Sequence, residues 1–173
     1  MRVLVTYASR HGATADIAEV IAGVLTEDRG RDRARRVEVV PVEEVEDVTG
    51  YDAVLLGSAV YVGRWAKPAR SFVRRNLAAL RARPVWLFSS GPVGDAPEPD
   101  QETADTDRLA DLVGARGSRT FGGRLRRADL GRRERAVVRM VHAEDGDHRD
   151  WVEIRAWADE VADALDDVGA TSS

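Results

Sequence analysis

The sequence predicts an α/β protein built as a doubly wound parallel sheet with helices on both faces. Short continuous apolar runs alternate along the chain with amphipathic stretches of helical period, which is the pattern of strand–helix–strand units. The runs are apolar throughout rather than every second residue, as expected of strands covered on both sides. Three of them stop abruptly in small and hydroxyl residues, as strands do where the chain turns over the carboxyl edge of an open sheet.

Residues 2–7, with Val3, Leu4 and Val5, read as the first strand. Over 13–25, Ile17, Ala18, Ile21, Ala22 and Leu25 recur three and four residues apart, giving one buried helix face. A charged loop at 28–36 leads to a second strand at 37–40. "DAVLLGS", 52–58, is the third strand, and 68–80 the next helix, with Pro68 tolerated in its first turn. "VWLFS", 85–89, is the fourth strand. The acidic stretch "GPVGDAPEPDQETADTD" reads as a loop, followed by a short helix at 106–113 and a fifth strand at 119–122. Residues 123–150 are too long for a plain connection and predict an arginine-rich insertion. Within it, Val137, Val138, Met140 and Val141 predict a further helix over 133–142. The closing helix spans 151–168 and presents Ile154, Trp157, Ala158, Val161 and Leu165, with 169–173 expected to fray. One domain over 1–168 is therefore expected, which a chain of 173 residues is long enough to give a substantial core.

Composition narrows the function classes. A net charge of -4 argues against a nucleic-acid partner. There is no cysteine, hence no disulfide and no thiolate metal site, and His11, His142 and His148 lack metal-ligand spacing. No run approaches the roughly 20 apolar residues of a membrane helix, and the chain enters its first strand without a signal-peptide pattern, so a cytoplasmic protein is expected. Lys67 is the only lysine, which reads first as a codon bias. Charge is uneven: 95–111 is acidic, whereas 124–139 carries seven arginines against Asp129 and Glu134.

The strand ends hold the candidate chemistry. "SRHGAT", Ser9 to Thr14, joins the first strand to the first helix. Backbone N–H groups in such a turn form an anion site, with Gly12 allowing close approach, Ser9 and Thr14 adding hydroxyls, and Arg10 and His11 adding basic character. Thr14 is also a candidate helix cap, and a capped helix with no ligand would look the same. "GSAVYVGRW" follows the third strand and "SSGPVG" ends the fourth. Small residues at three strand ends, with Tyr61 or Trp65 available to stack, suit a planar ligand that bears a phosphate.

These three stretches resemble the flavodoxins. "SRHGAT" is similar to their phosphate loop, with His11 in place of its usual threonine, and "LLGSAVYVGRW" and "FSSGPVG" are similar to their two flavin-flanking loops. The resemblance implies a flavodoxin-like five-stranded parallel sheet of order 2-1-3-4-5 in a three-layer sandwich that binds FMN. By the same resemblance Ser9, Arg10, His11, Gly12, Ala13 and Thr14 would wrap the phosphate. Ser58, Ala59, Val60, Tyr61, Val62 and Gly63 would flank the ring, with Tyr61 stacking, and Ser89, Ser90 and Gly91 would meet its pyrimidine edge.

At the finer level two readings stand. The flavin loop and the arginine-rich insertion resemble the flavodoxin-like protoporphyrinogen dehydrogenases, which implies an FMN enzyme of haem synthesis that passes electrons to a quinone. Around Arg64 and Lys67 that loop has no carboxylate. A cation ~6 Å from the flavin, at an effective dielectric of ~20, favours its reduced anion by up to ~3 kcal/mol. The alternative is a non-enzymatic carrier between redox proteins, which the acidic stretch would suit as a docking surface. Tyr61 and His11 are the nearest acid–base candidates, and His142 and His148 could reach a substrate. The insertion is open to three roles: a surface helix, a contact with the inner face of a membrane, or a site for acidic groups of a substrate or partner.

Overall fold

The structure is a computed structural model that describes residues 1–27, 35–61, 63–91, 99–125 and 146–171. Val62 and the helix expected over 133–142 lie outside the described residues.

The first strand, β1 (Arg2–Ala8), sits inside a parallel sheet because its side chains are apolar in both directions. Val3 and Val5 enter one core and Leu4 the opposite one, the two-residue alternation of a pleated strand. β3 (Ala53–Tyr61) and β5 (Val85–Ser90) repeat this, so Ala53, Leu55, Trp86 and Phe88 share a face with Val3. β2 (Arg36–Pro41) and β6 (Gly117–Phe121) form the edges. The five parallel strands run β2-β1-β3-β5-β6, the predicted order, with a two-residue strand β4 (Arg64–Trp65) added antiparallel to β3.

Helices cover both faces. α1 (Ala13–Thr26) turns Ile17, Ala18, Ile21 and Leu25 inward beside Ile154, Trp157, Ala158, Val161 and Leu165 of the closing helix α5 (Trp151–Thr171). Trp157 packs on Phe88 at 6.2 Å and edge-on against Phe121 at 5.7 Å between ring centroids. The Phe88 ring lies over Gly57, where an added Cβ would sit 2.2 Å from it. The opposite face is closed by α2 (Lys67–Arg75), α3 (Leu77–Arg81) and α4 (Pro99–Val113), which contribute Phe72, Val73, Leu80, Leu109 and Val113.

Four expectations need correction. The helix expected over 68–80 is two helices broken at Asn76, whose Nδ2 donates to the Phe72 carbonyl at 3.1 Å, a side-chain bond that competes with helix continuation. The acidic stretch is not loop throughout, since α4 begins at Pro99 rather than at 106; proline is compatible with a helix start. "GSAVYVGRW" is a β-hairpin rather than a loop, with Val60 opposite Trp65, Tyr61 opposite Arg64 and Gly63 at φ 66° in the turn. The stretch after β6 contains a ribbon that the sequence did not announce: β7 (Arg124–Leu125) pairs antiparallel with β8 (Gly146–Asp147).

Candidate functional site

Sheet register brings the three strand ends together. Ala8 is opposite Ser58, Ser58 opposite Ser89, and Ser89 opposite Thr120, so the end of β1, the stretch where β3 runs on into its hairpin and the end of β5 lie side by side at the carboxyl edge.

The turn from β1 into α1 contains Ser9, Arg10, His11 and Gly12. Gly12 is the N-cap residue at φ 82°, left-handed backbone that suits glycine. It brings no side chain to cap the helix, so the dipole and N–H groups of the first turn of α1 face outward from the sheet end. The Gly12 N–H donates to Ser9 Oγ at 3.1 Å. Thr14 is not the cap: it lies buried inside the first turn, where its hydroxyl shares a 2.7 Å hydrogen bond with Ser90 Oγ. The start of α1 and the end of β5 are thereby joined through two hydroxyls. The Arg10 guanidinium lies 5.9 Å from the Tyr61 ring centroid and joins the same turn to the hairpin.

In the hairpin, Ser58 is buried, accepts from the Ala66 N–H at 2.9 Å and donates to the Ala59 carbonyl at 2.9 Å. Ala59, Val60 and Gly63 are half-buried, whereas Tyr61 is 38% exposed at the tip. Trp65, expected as an alternative stacking ring, is instead buried against α4. Its N–H donates to the Asp105 carboxylate at 2.9 Å and its Nε1–H to Thr106 Oγ1 at 2.8 Å. Arg64 is exposed beside Tyr61, so solvent and salt screen its charge.

At the end of β5, Ser89 Oγ pairs with Thr120 Oγ1 at 2.8 Å. Gly91 has φ 132° and donates its N–H to the Phe121 carbonyl at 3.0 Å. A Cβ there would stand 3.1 Å from the Val60 carbonyl, so this turn and the hairpin touch through bare backbone. The site hydroxyls of Ser9, Thr14, Ser58, Ser89 and Ser90 are engaged with main chain, with one another or, for Ser89, with Thr120. Such a site offers hydrogen bonds and an anion cradle rather than an activated nucleophile. Among the described residues no group of His, Asp and Glu is arranged to hold a metal ion, and no helix is long and apolar enough to cross a membrane.

Sequence reasoning missed one part of the site. Arg124 of the ribbon donates from Nη2 to the His11 carbonyl at 3.0 Å and from Nη1 to Asp16 at 3.1 Å. Arg149, just beyond the ribbon, donates to the same Asp16 oxygen at 2.8 Å and grips Asp147 through Nε and Nη2 at 2.7 and 2.5 Å. Its guanidinium lies 4.4 Å from the Trp151 centroid. Hydrogen bonding from Arg149 holds the Asp147 carboxyl at about 2. The signal available in the sequence was the richness of 124–139 in arginine, which does not say which arginine turns back to residue 11. His148 is exposed on this ribbon, and His142 lies outside the described residues.

The model of the flavodoxin domain family matches residues 4–151. The chain is 26% identical over 112 residues to a protein of Escherichia coli K12 named protoporphyrinogen IX dehydrogenase [quinone]; the match covers 64% of this chain and 58% of that relative's length. An archaeal flavodoxin superimposes with a TM-score of 0.62 at 18% identity, over 95% of this chain and 99% of its own. Rubredoxin oxygen:oxidoreductase from Desulfovibrio gigas gives 0.62 at 14% identity, over 95% of this chain and 36% of the other. These two likenesses speak to the fold alone, and the relative's activity does not transfer to a chain matching 58% of its length. With its parallel sheet, its three aligned strand ends and a family match running from β1 into the closing helix, the chain belongs to the flavodoxin domain family.

Proposed function

We propose that this flavodoxin-domain protein is an FMN-dependent oxidoreductase of the protoporphyrinogen dehydrogenase type, passing electrons from a reduced organic substrate to a quinone. The observation that carries the reading is the cradle at Gly12. A helix start without a side-chain cap, on left-handed backbone, fits a phosphate group. Tyr61 is exposed at the hairpin tip for a ring face, and the bare backbone at Gly91 fits a ring edge. FMN, once bound, would supply the redox chemistry. Ser9, Gly12 and Ala13 would hold the phosphate, and Arg10 would orient Tyr61. In each turnover the substrate would lose two electrons and two protons, and the quinone would gain both as the quinol.

Two features support an enzyme over a carrier: the Escherichia coli relative, and the cations at the hairpin tip, where Arg10 and Arg64 flank Tyr61. The carrier reading draws on the exposed acidic side chains of α4, Asp107 and Asp111, which suit a basic partner. A redox titration of the FMN-loaded protein separates the two, as does anaerobic oxidation of protoporphyrinogen IX with a quinone. Two well-separated one-electron potentials, the second very low, would overturn the dehydrogenase reading. So would failure to oxidise that substrate at any quinone concentration. FMN binding is tested on its own with Gly12→Asp, which places a carboxylate in the cradle. Wild type is expected to quench FMN fluorescence, and the variant to leave it unquenched while keeping its far-UV circular dichroism. An unquenched wild type overturns the cofactor assignment.

A further inference from the structure

The ribbon of β7 and β8 meets the turn that starts α1 through Arg124, and the segments that enter and leave the ribbon pack closely on each other. A Cβ on Gly122 would fall 2.0 Å from the His148 carbonyl oxygen, and the His148 N–H donates to the Gly123 carbonyl at 3.0 Å. Arg149 is anchored hardest: its side chain is 4% exposed, bonded to Asp147 and Asp16 and packed on Trp151. Arg124, 19% exposed, reaches the turn itself. Neither arginine belongs to the expected phosphate loop.

We propose that Arg124 and Arg149 are positioning residues that clamp the turn at His11–Gly12 into its phosphate-binding shape, so that affinity for the flavin's phosphate group depends on the ribbon. The inference rests on the FMN reading above. A peptide unit is planar and trans, so its C=O and N–H point in opposite directions. With the His11 carbonyl drawn to Arg124, the Gly12 N–H of the same unit is turned away from it, toward Ser9 Oγ. An anion cradle needs that orientation, because a carbonyl swung inward would repel phosphate. The second effect is electrostatic. Asp16 lies in the first turn of α1, where an unpaired carboxylate would oppose a bound phosphate. Both arginines converge on its Oδ2 and neutralise it. The four charges Arg124, Arg149, Asp16 and Asp147 sum to zero, so the cluster works by shape and by silencing Asp16 rather than by adding net positive charge.

The discriminating ligand pair is FMN and riboflavin, which share the ring and differ in the phosphate. Arg124→Gln is expected to weaken FMN binding at least tenfold by fluorescence titration while leaving riboflavin affinity unchanged. Adding Asp16→Asn to that variant should recover part of the lost FMN affinity, because the bared carboxylate is gone. A readout free of flavin is amide hydrogen exchange in the apo-protein. Exchange at Gly12 should rise at least tenfold in Arg124→Gln, with Val3 to Val5 in β1 unchanged. Should Arg124→Gln fail to fold, Arg124→Lys keeps the charge but not the two-pronged reach, and should show an intermediate loss. An unchanged ratio of FMN to riboflavin affinity, or equal weakening of both, overturns the clamp and leaves the FMN reading standing. A wild type that binds neither flavin overturns both.

Discussion

Thr14 and Ser90 show how much of the site is decided by single side chains. Their hydroxyls meet 2.7 Å apart in a buried position, although the residues are 76 apart in sequence. Both stand out in the sequence as small hydroxyl residues near the turns that follow the first and fourth apolar runs. That they would bond each other was not legible, because a contact across the sheet leaves no periodic trace in the chain. The pair has an energetic consequence. Thr14→Val keeps the shape and removes the partner, stranding Ser90 Oγ at a cost of about 1–3 kcal/mol. Ser90→Ala should cost a similar amount, and the double variant less than the sum, because with both hydroxyls gone nothing is left unpaired. Urea denaturation of the four proteins checks this. Strict additivity would mean that the two hydroxyls do not interact in solution.

The elements were legible to different degrees, for physical reasons that can be named. β1, β3 and β5 are buried on both faces, and continuous apolar runs announce such strands. The first and last helices show a full inward stripe. The β3–β4 hairpin was hidden, since small residues read as loop and a two-residue strand has no period. The early start of α4 was hidden by the prolines around it. Yet these two elements act together. Trp65 of β4 is held by Asp105 and Thr106 of α4, and this contact fixes the hairpin that carries Tyr61. Thr106→Val would leave the indole N–H buried without an acceptor, costing about 1–3 kcal/mol of stability. Because the hairpin tip depends on that anchor, FMN quenching by the variant is expected to be weaker than by wild type under conditions where both remain folded. A variant as stable as wild type would show that the indole finds another partner.

Across the whole molecule, arginine–carboxylate contacts tie together parts distant in sequence. Arg35, at the entry to β2, bonds Asp166 and the Ala162 carbonyl of α5. Arg119 of β6 lies 3.6 Å from Glu153 and 3.7 Å from Glu160. Arg149 joins Asp147 to Asp16. Architecture was legible without these, because strand order follows from apolar runs and strand ends, whereas ion pairs depend on which long side chains meet after folding. Their signature is acid sensitivity. Asp147 is lowered from 3.8 to about 2, chiefly by its hydrogen bond from Arg149. Glu38 is lowered by Tyr51 and Arg2, and Asp47 by Thr49. In each case the folded carboxyl holds its proton less tightly than the unfolded one. As pH falls below about 4 the unfolded chain takes up protons first, so the stabilisation is complete above that pH and is lost as pH drops toward 2. Urea denaturation of the apo-protein at low salt, compared with Asp147→Asn, tests the largest of these shifts. At pH 7 the variant should be the less stable protein, and the gap should narrow below pH 4 and be mostly gone near pH 2, where wild-type Asp147 is itself half protonated. A gap that stays constant from pH 7 to pH 2 would mean that the charge on Asp147 contributes nothing to the fold.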